Sequence, residues 1–186
     1  MFKRFFLPPL VLTLICAAVS GLLAAAYDLT YVDETGVMTD KLLSACEDAA
    51  GKGDYTIMLK EGTDKKEPVT FGYEGVNAVI TDNERGVCLI ELTEDGYSTE
   101  GLHFVVGLDS EGTVTGISFV SNKETPGLGS KVTESEYLEK YKNTDSKDTA
   151  ESIDNVTSAT YSSKGLKRGI AKALEIFDEH KGEILK

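Results

Sequence analysis

The side chains with the most chemistry to offer lie in one stretch, Asp154-Asn155-Val156-Thr157-Ser158-Ala159-Thr160-Tyr161-Ser162-Ser163. Its hydroxyls run straight into a segment of helical hydrophobic period, which places them at a helix N-terminus. The first N–H groups of a helix have no intrahelical partner, and the positive end of the macrodipole points the same way, so an anion is favoured there. A phosphate held near Thr160 would be stabilised by the backbone itself. The same residues also read as plain punctuation, with Ser162 or Ser163 as N-cap of a helix that begins at Lys164.

A second stretch, Ser121-Asn122-Lys123-Glu124-Thr125-Pro126-Gly127-Leu128-Gly129-Ser130-Lys131, follows directly after a predicted strand. Its Pro-Gly-x-Gly turn gives a rigid entry and a backbone bare enough to approach a flat ligand. Read structurally, it is a tight connection ahead of a helix predicted over 133–142, with Thr133 as cap and Glu136 completing a capping box.

The two stretches carry a resemblance. Asp154-x-x-Thr157-Ser158-Ala159-Thr160 resembles the flavin-attachment signature Asp-x-x-Ser/Thr-Gly-Ala-Thr of the FMN-binding domain family, and Glu124-Thr125-Pro126-Gly127-Leu128-Gly129 matches that family's Glu-Thr-Pro-Gly-Leu-Gly element residue for residue. Within the family the chain resembles the G subunit of the Rnf electron transport complex and, more distantly, the C subunit of the sodium-pumping NADH:quinone reductase. The likeness extends from the amino-terminal segment, through Gly96-Tyr97-Ser98, to the last helix.

The resemblance implies that Thr160 is esterified through its hydroxyl to the phosphate of FMN by a dedicated flavin transferase. Asp154, Thr157, Ser158 and Ala159 then complete the attachment signature, and Glu124, Thr125, Gly127 and Leu128 lie against the isoalloxazine ring. One position departs: Ser158 stands where Gly is usual, and Gly reaches positive φ more readily. The implied function is a covalent-FMN electron-transfer subunit of a membrane-bound ion-translocating ferredoxin:NAD oxidoreductase complex, partnered by its other membrane subunits. No residue need act as a catalytic acid or base. Two further readings stay open, a free-standing extracytoplasmic electron carrier or reductase, and a membrane-tethered scaffold without flavin.

The elements that must position these residues read as an α+β domain, an antiparallel sheet with flanking helices. Gly and Asp/Asn-rich turns punctuate strands predicted over 76–81, 86–92, 101–108 and 114–120, after a first short strand over 55–59. The turn Asp109-Ser110-Glu111-Gly112 implies a hairpin. A helix is predicted over 36–50 with Thr39 or Asp40 as cap, and residues 60–67 and 143–152 read as polar loops. In the last segment Leu166, Ile170, Ala173, Leu174 and Phe177 form one apolar stripe from 164 to 179, which packed on the sheet would fix Thr160.

The chain has 186 residues and a net charge of −12. Lys3 and Arg4 are its only charges before Asp28, so the acidic excess belongs to the rest. Such a surface repels phosphate backbones and argues against nucleic-acid binding. Residues 5–26 are uncharged and long enough to cross a hydrocarbon core of about 30 Å, with Pro8 and Pro9 expected in the first turn and Tyr27 at the far interface. Lys3 and Arg4 on one side against Asp28, Asp33 and Glu34 on the other predict a cytoplasmic amino terminus and an extracytoplasmic main domain. The competing reading is a cleaved signal peptide, for which Ala24-Ala25-Ala26 offers a cleavage site.

The expected organisation is therefore an anchor over 1–27, a lead-in over 28–75 and an FMN-binding domain over 76–186. His103 and His180 are far apart in sequence, so no metal site is expected and His103 reads as structural. Cys46 and Cys88 leave a single disulfide open, with no Cys-x-x-Cys pair and no iron–sulfur ligand run.

Overall fold

The computed structural model describes residues 2–30, 36–60, 62 and 66–186, with side chains from residue 8 onward. The chain divides into two compact units, Met1–Glu34 and Thr35–Lys186.

Among the described residues the first unit is a single helix, α1 (Phe2–Thr30), of which Pro8–Thr30 is long and apolar enough to cross a membrane by length and composition. A signal sequence passes the same test. Because α1 begins at Phe2, Pro8 and Pro9 fall past the first turn, where each removes an N–H from the ladder. Of the charges that bear on orientation, Asp33, Glu34 and the side chains of Lys3 and Arg4 lie outside the described residues.

The second unit is built on an antiparallel meander of five strands in sequential order, β1 (Thr56–Ile57), β2 (Val76–Asp82), β3 (Val87–Glu94), β4 (Leu102–Leu108) and β5 (Val114–Asn122). Strands β2 to β4 are apolar on both faces because both faces are covered. Helix α2 (Asp40–Ala50) covers one, where Leu42, Ala45, Cys46 and Ala49 meet Ile80, Leu89 and Val105. Helix α5 (Thr160–Ile184) covers the other, where Leu166, Ile170, Ala173 and Phe177 meet Ile90, Leu92, Phe104 and Val106. Cys46 and Cys88 belong to opposite faces and are both free thiols, so the sheet itself rules out a disulfide between them. Burial, helped by the nearby Glu91 charge, pushes the Cys46 thiol up to about 12.

Helix α2 starts as expected, with Thr39 Oγ1 accepting from the Leu42 amide at 3.2 Å. Its far end lies unusually close to the sheet. Gly107 and Gly116 face each other across β4 and β5, and a Cβ on Gly116 would sit 2.5 Å from the carbonyl oxygen of Ala49. Thr115 Oγ1 donates to that same oxygen at 3.2 Å. Only glycine leaves the slot open.

The hairpin turn forms as read, its Asp109 carboxylate accepting from the Glu111 and Thr113 amides at 2.9 Å each. His103 pairs with Glu91 across β4 and β3 at 2.7 Å, which accounts for it structurally.

Three expectations fail beyond β5. The helix predicted over 133–142 is broken into a 3-10 turn (Gly129–Thr133), a short α3 (Ser135–Leu138) and another 3-10 turn (Glu139–Tyr141). Thr133 does not cap it, because its hydroxyl donates back to the Ser130 carbonyl at 2.9 Å. The loop predicted over 143–152 contains α4 (Lys147–Ser152), headed by Ser146. Helix α5 begins at Thr160, four residues ahead of the expected start, so Ser162 and Ser163 lie inside its first turn and are buried.

Candidate functional site

The entry into α5 is held from three sides. Ser163 Oγ accepts from the Val156 amide at 3.0 Å, and the Ala159 amide closes a turn onto the Val156 carbonyl at 3.0 Å. Lys167, one turn further along, donates to the carbonyls of Ile153 and Glu151, and its desolvation there lowers its affinity for a proton despite Asp154 and Glu151 nearby. Within this turn Ser158 adopts φ +69, the left-handed region. That is the conformation glycine reaches at least cost.

The N-cap of α5 is Ala159, whose side chain has no acceptor to offer. Thr160 is the first helical residue and its side chain is exposed. The Ser163 amide already donates to the Ala159 carbonyl at 2.8 Å, so the amides of Thr160, Tyr161 and Ser162 are the ones left for an outside acceptor, beside the Thr160 hydroxyl.

A cavity of about 270 Å³ opens at this point. Its floor is the start of α5, from Ser158 to Ser162; one wall is Thr125, Leu128 and Gly129, and the other is Tyr97. The two motifs, with 24 residues of chain between them, therefore meet. Tyr97 is 76% exposed, Tyr161 69% and Leu128 49%, which sets an apolar rim around a polar floor. The two tyrosine rings stand edge to face at 6.5 Å.

Of the residues singled out from sequence, Thr125, Leu128, Ser158, Ala159 and Thr160 line this cavity. Asp154 and Thr157 are exposed and lie outside its lining. Gly127 shapes the loop instead, at φ +74 with its amide donating to Ser130 Oγ at 2.9 Å. Glu124 is buried behind the wall, its carboxylate accepting from the Tyr97 and Ser98 amides and from the Ser162 hydroxyl. Gly129 makes room for that contact, since a Cβ there would lie 2.8 Å from Ser162 Oγ.

Tyr97, Tyr161 and Ser162 also line the site: the sequence marked Tyr97 only within the Gly96-Tyr97-Ser98 likeness, Tyr161 only as part of the hydroxyl-rich stretch and Ser162 only as an N-cap candidate. A larger hollow of about 700 Å³ on the flank of β3 carries none of the motif residues, and its cations are engaged: Lys172 reaches Glu94 at 2.5 Å and Arg168 reaches it at 3.4 Å.

The loop and helix that close on the cavity fall inside one family pattern. Residues 96–175 match the FMN-binding domain family. The match takes in Tyr97, the whole loop around Glu124 and the start of α5, so every residue lining the cavity falls within the matched segment.

The G subunit of the ion-translocating oxidoreductase complex of Aliivibrio fischeri (strain MJ11) is 28% identical over 134 residues, covering 66% of this chain and 60% of the relative. Its namesake from Pseudoalteromonas atlantica (strain T6c / ATCC BAA-1087) is 30% identical over 130 residues, covering 66% and 59%. The chain thus spans less than two thirds of the length of these relatives. Among solved structures, the C subunit of the Na(+)-translocating NADH-quinone reductase from Parabacteroides distasonis is similar with a TM-score of 0.47 at 18% identity, covering 69% of this chain and 77% of that one.

Proposed function

We propose that this chain is the flavin-carrying electron-transfer subunit of a membrane-bound, ion-translocating oxidoreductase complex of the Rnf type, with FMN joined through its phosphate to Thr160. The observation that carries the reading is the convergence of both motifs on one cavity whose floor is an uncapped helix start bearing an exposed hydroxyl. The residues fit such a group. A phosphodiester on Thr160 Oγ1 keeps one negative charge, and the first-turn amides of α5 face it where Ala159 supplies no competing acceptor. Leu128, Tyr97 and Tyr161 offer flat apolar surface to a ring.

Attachment forms the Thr160 Oγ1–P bond as the hydroxyl loses its proton, and needs an activated flavin nucleotide whose phosphate carries a leaving group together with a transferase to deliver it. The exposure of Thr160 leaves that hydroxyl within reach of a second protein. Bound there, the flavin supplies one- and two-electron chemistry, while the protein supplies place and potential. Helix α1 fits a membrane tether that keeps the domain beside its electron partners, with the main domain outside the cytoplasm.

Purification in mild detergent from cells making the native protein should bring several polytopic subunits with it. Recovery of the flavin-bearing chain alone would favour a free-standing carrier with the same site. Peptide mass spectrometry should place the mass of FMN on the peptide containing Thr160.

A further inference from the structure

Glu124 has more partners than a ring contact needs. Its side chain is 5% exposed. One oxygen, Oε1, accepts from the Ser98 amide at 2.9 Å; the other, Oε2, accepts from the Tyr97 amide at 3.1 Å and from the Ser162 hydroxyl. These donors come from separate walls of the cavity, the β3–β4 connection and the first turn of α5, and Glu124 itself heads the third. Among the described residues no lysine, arginine or histidine forms an ion pair with it. Glycines press against it, so that a Cβ on Gly96 would lie 2.7 Å from Oε1 and one on Gly129 would lie 2.5 Å from Oε2.

Three donors converging on one side chain call for a group that only accepts, as an ionised carboxylate does. Glutamine in its place would turn an NH₂ toward either the Ser98 or the Tyr97 amide. A buried charge without a cation partner is also weakly screened, so its field reaches the cavity in front of it.

We propose that Glu124 is a positioning residue for the bound flavin: it locks the three walls together and places a negative charge behind the cavity that lowers the reduction potential of an isoalloxazine seated there. This rests on the reading of the cavity as an FMN site. The physical basis is that reduction adds negative charge to the cavity, and a fixed anion behind its wall opposes that addition.

The test uses the full chain in detergent, co-expressed with a flavin transferase, as wild type, Glu124→Gln and Ser162→Ala. In-gel fluorescence establishes that each carries flavin, thermal melting of the flavin-free forms reports the fold, and a spectroelectrochemical titration gives the flavin midpoint potential. Glu124→Gln should move the potential up, because the charge is gone. Ser162→Ala should move it down, because the carboxylate keeps its charge and loses a donor that partly offsets it.

A loosened wall would move both variants the same way, so shifts of one sign, or no shift in either, overturn the proposal. If Glu124→Gln fails to fold or to carry flavin, Ser162→Ala decides alone: a downward shift supports the role and an unmoved or raised potential overturns it. A wild-type band without fluorescence refutes the FMN reading and this proposal with it, whereas labelled proteins with unmoved potentials refute the role of Glu124 only.

Discussion

Ser158→Gly isolates the backbone cost of the turn that presents Thr160. Ser158 sits at φ +69 with an exposed side chain, so the substitution changes conformational preference and little else. An L-residue held in the left-handed region costs about 1–2 kcal/mol, which glycine avoids. Glycine in turn loosens the unfolded chain, at a cost of about 0.4–1 kcal/mol. The difference spans about 0 to 1.6 kcal/mol, centred on a gain of roughly 0.8 kcal/mol. For a domain of this size that central value is a rise in melting temperature of about 2–3 °C.

The assay is thermal unfolding of the flavin-free chain followed by circular dichroism, with Ser158→Val as the opposite control. Valine is β-branched and fits the left-handed region poorly, so its melting temperature should fall below wild type. A glycine variant that melts at or below wild type, beside a valine variant that melts with it, would refute a left-handed Ser158. Under the proposed function, Ser158→Gly should also carry at least as much flavin as wild type.

Gly116→Ala should cost about 1–3 kcal/mol, because the new methyl meets the Ala49 carbonyl and α2 must lift from β5; chemical denaturation measures it, and an unchanged midpoint would mean that α2 docks otherwise. Cys46 and Cys88 should resist alkylation until the protein unfolds, and mass spectrometry under non-reducing conditions should find no bridge between them. Burial, with the Glu91 charge, pushes the folded Cys46 thiol from the ordinary 9.0 up to about 12. Its stabilising effect is therefore complete below pH 9 and is lost as pH rises toward 12, at about 1.4 kcal/mol per pH unit. Cys46→Ala should flatten the alkaline fall in stability by that slope, and an unaltered slope would place the thiol in water. Asp154→Ala removes an exposed carboxylate and should change stability by no more than about 0.5 kcal/mol, while the proposed attachment signature requires that flavin loading fall; a collapsed melt would make Asp154 structural.

What the sequence made legible was local. Gly and Asp/Asn-rich turns at short intervals located β2 to β5 within a residue or two, since turn chemistry is written in consecutive positions. Thr39 could be read as a cap because its only competitor was its neighbour. Where a side chain had a distant partner, the local signal misled. Ser162 and Ser163 look like caps, yet one reaches Glu124 and the other the Val156 amide, and the helix runs past both. Thr133 and Glu136 look like a capping box, yet the chain there follows the edge of the sheet in short 3-10 turns.

The site divides the same way. Thr160 and the loop around Thr125 and Leu128 were marked by their motifs, and the cavity brings them together. Tyr97 and Tyr161 carried no spacing signal, because their place beside the cavity depends on how the β3–β4 connection folds over the start of α5. Glu124 was in view as a motif residue, but that its carboxylate faces inward to three donors is a property of packing alone.

The most direct measurement of the central claim is in-gel flavin fluorescence after denaturing electrophoresis, on wild type, Thr160→Ser and Thr160→Ala, each co-expressed with a flavin transferase. A fluorescent wild-type band that persists in part with serine and vanishes with alanine is the predicted result, since the proposed point of attachment is the hydroxyl oxygen at the start of α5. A dark wild-type band, or one that survives Thr160→Ala, contradicts it.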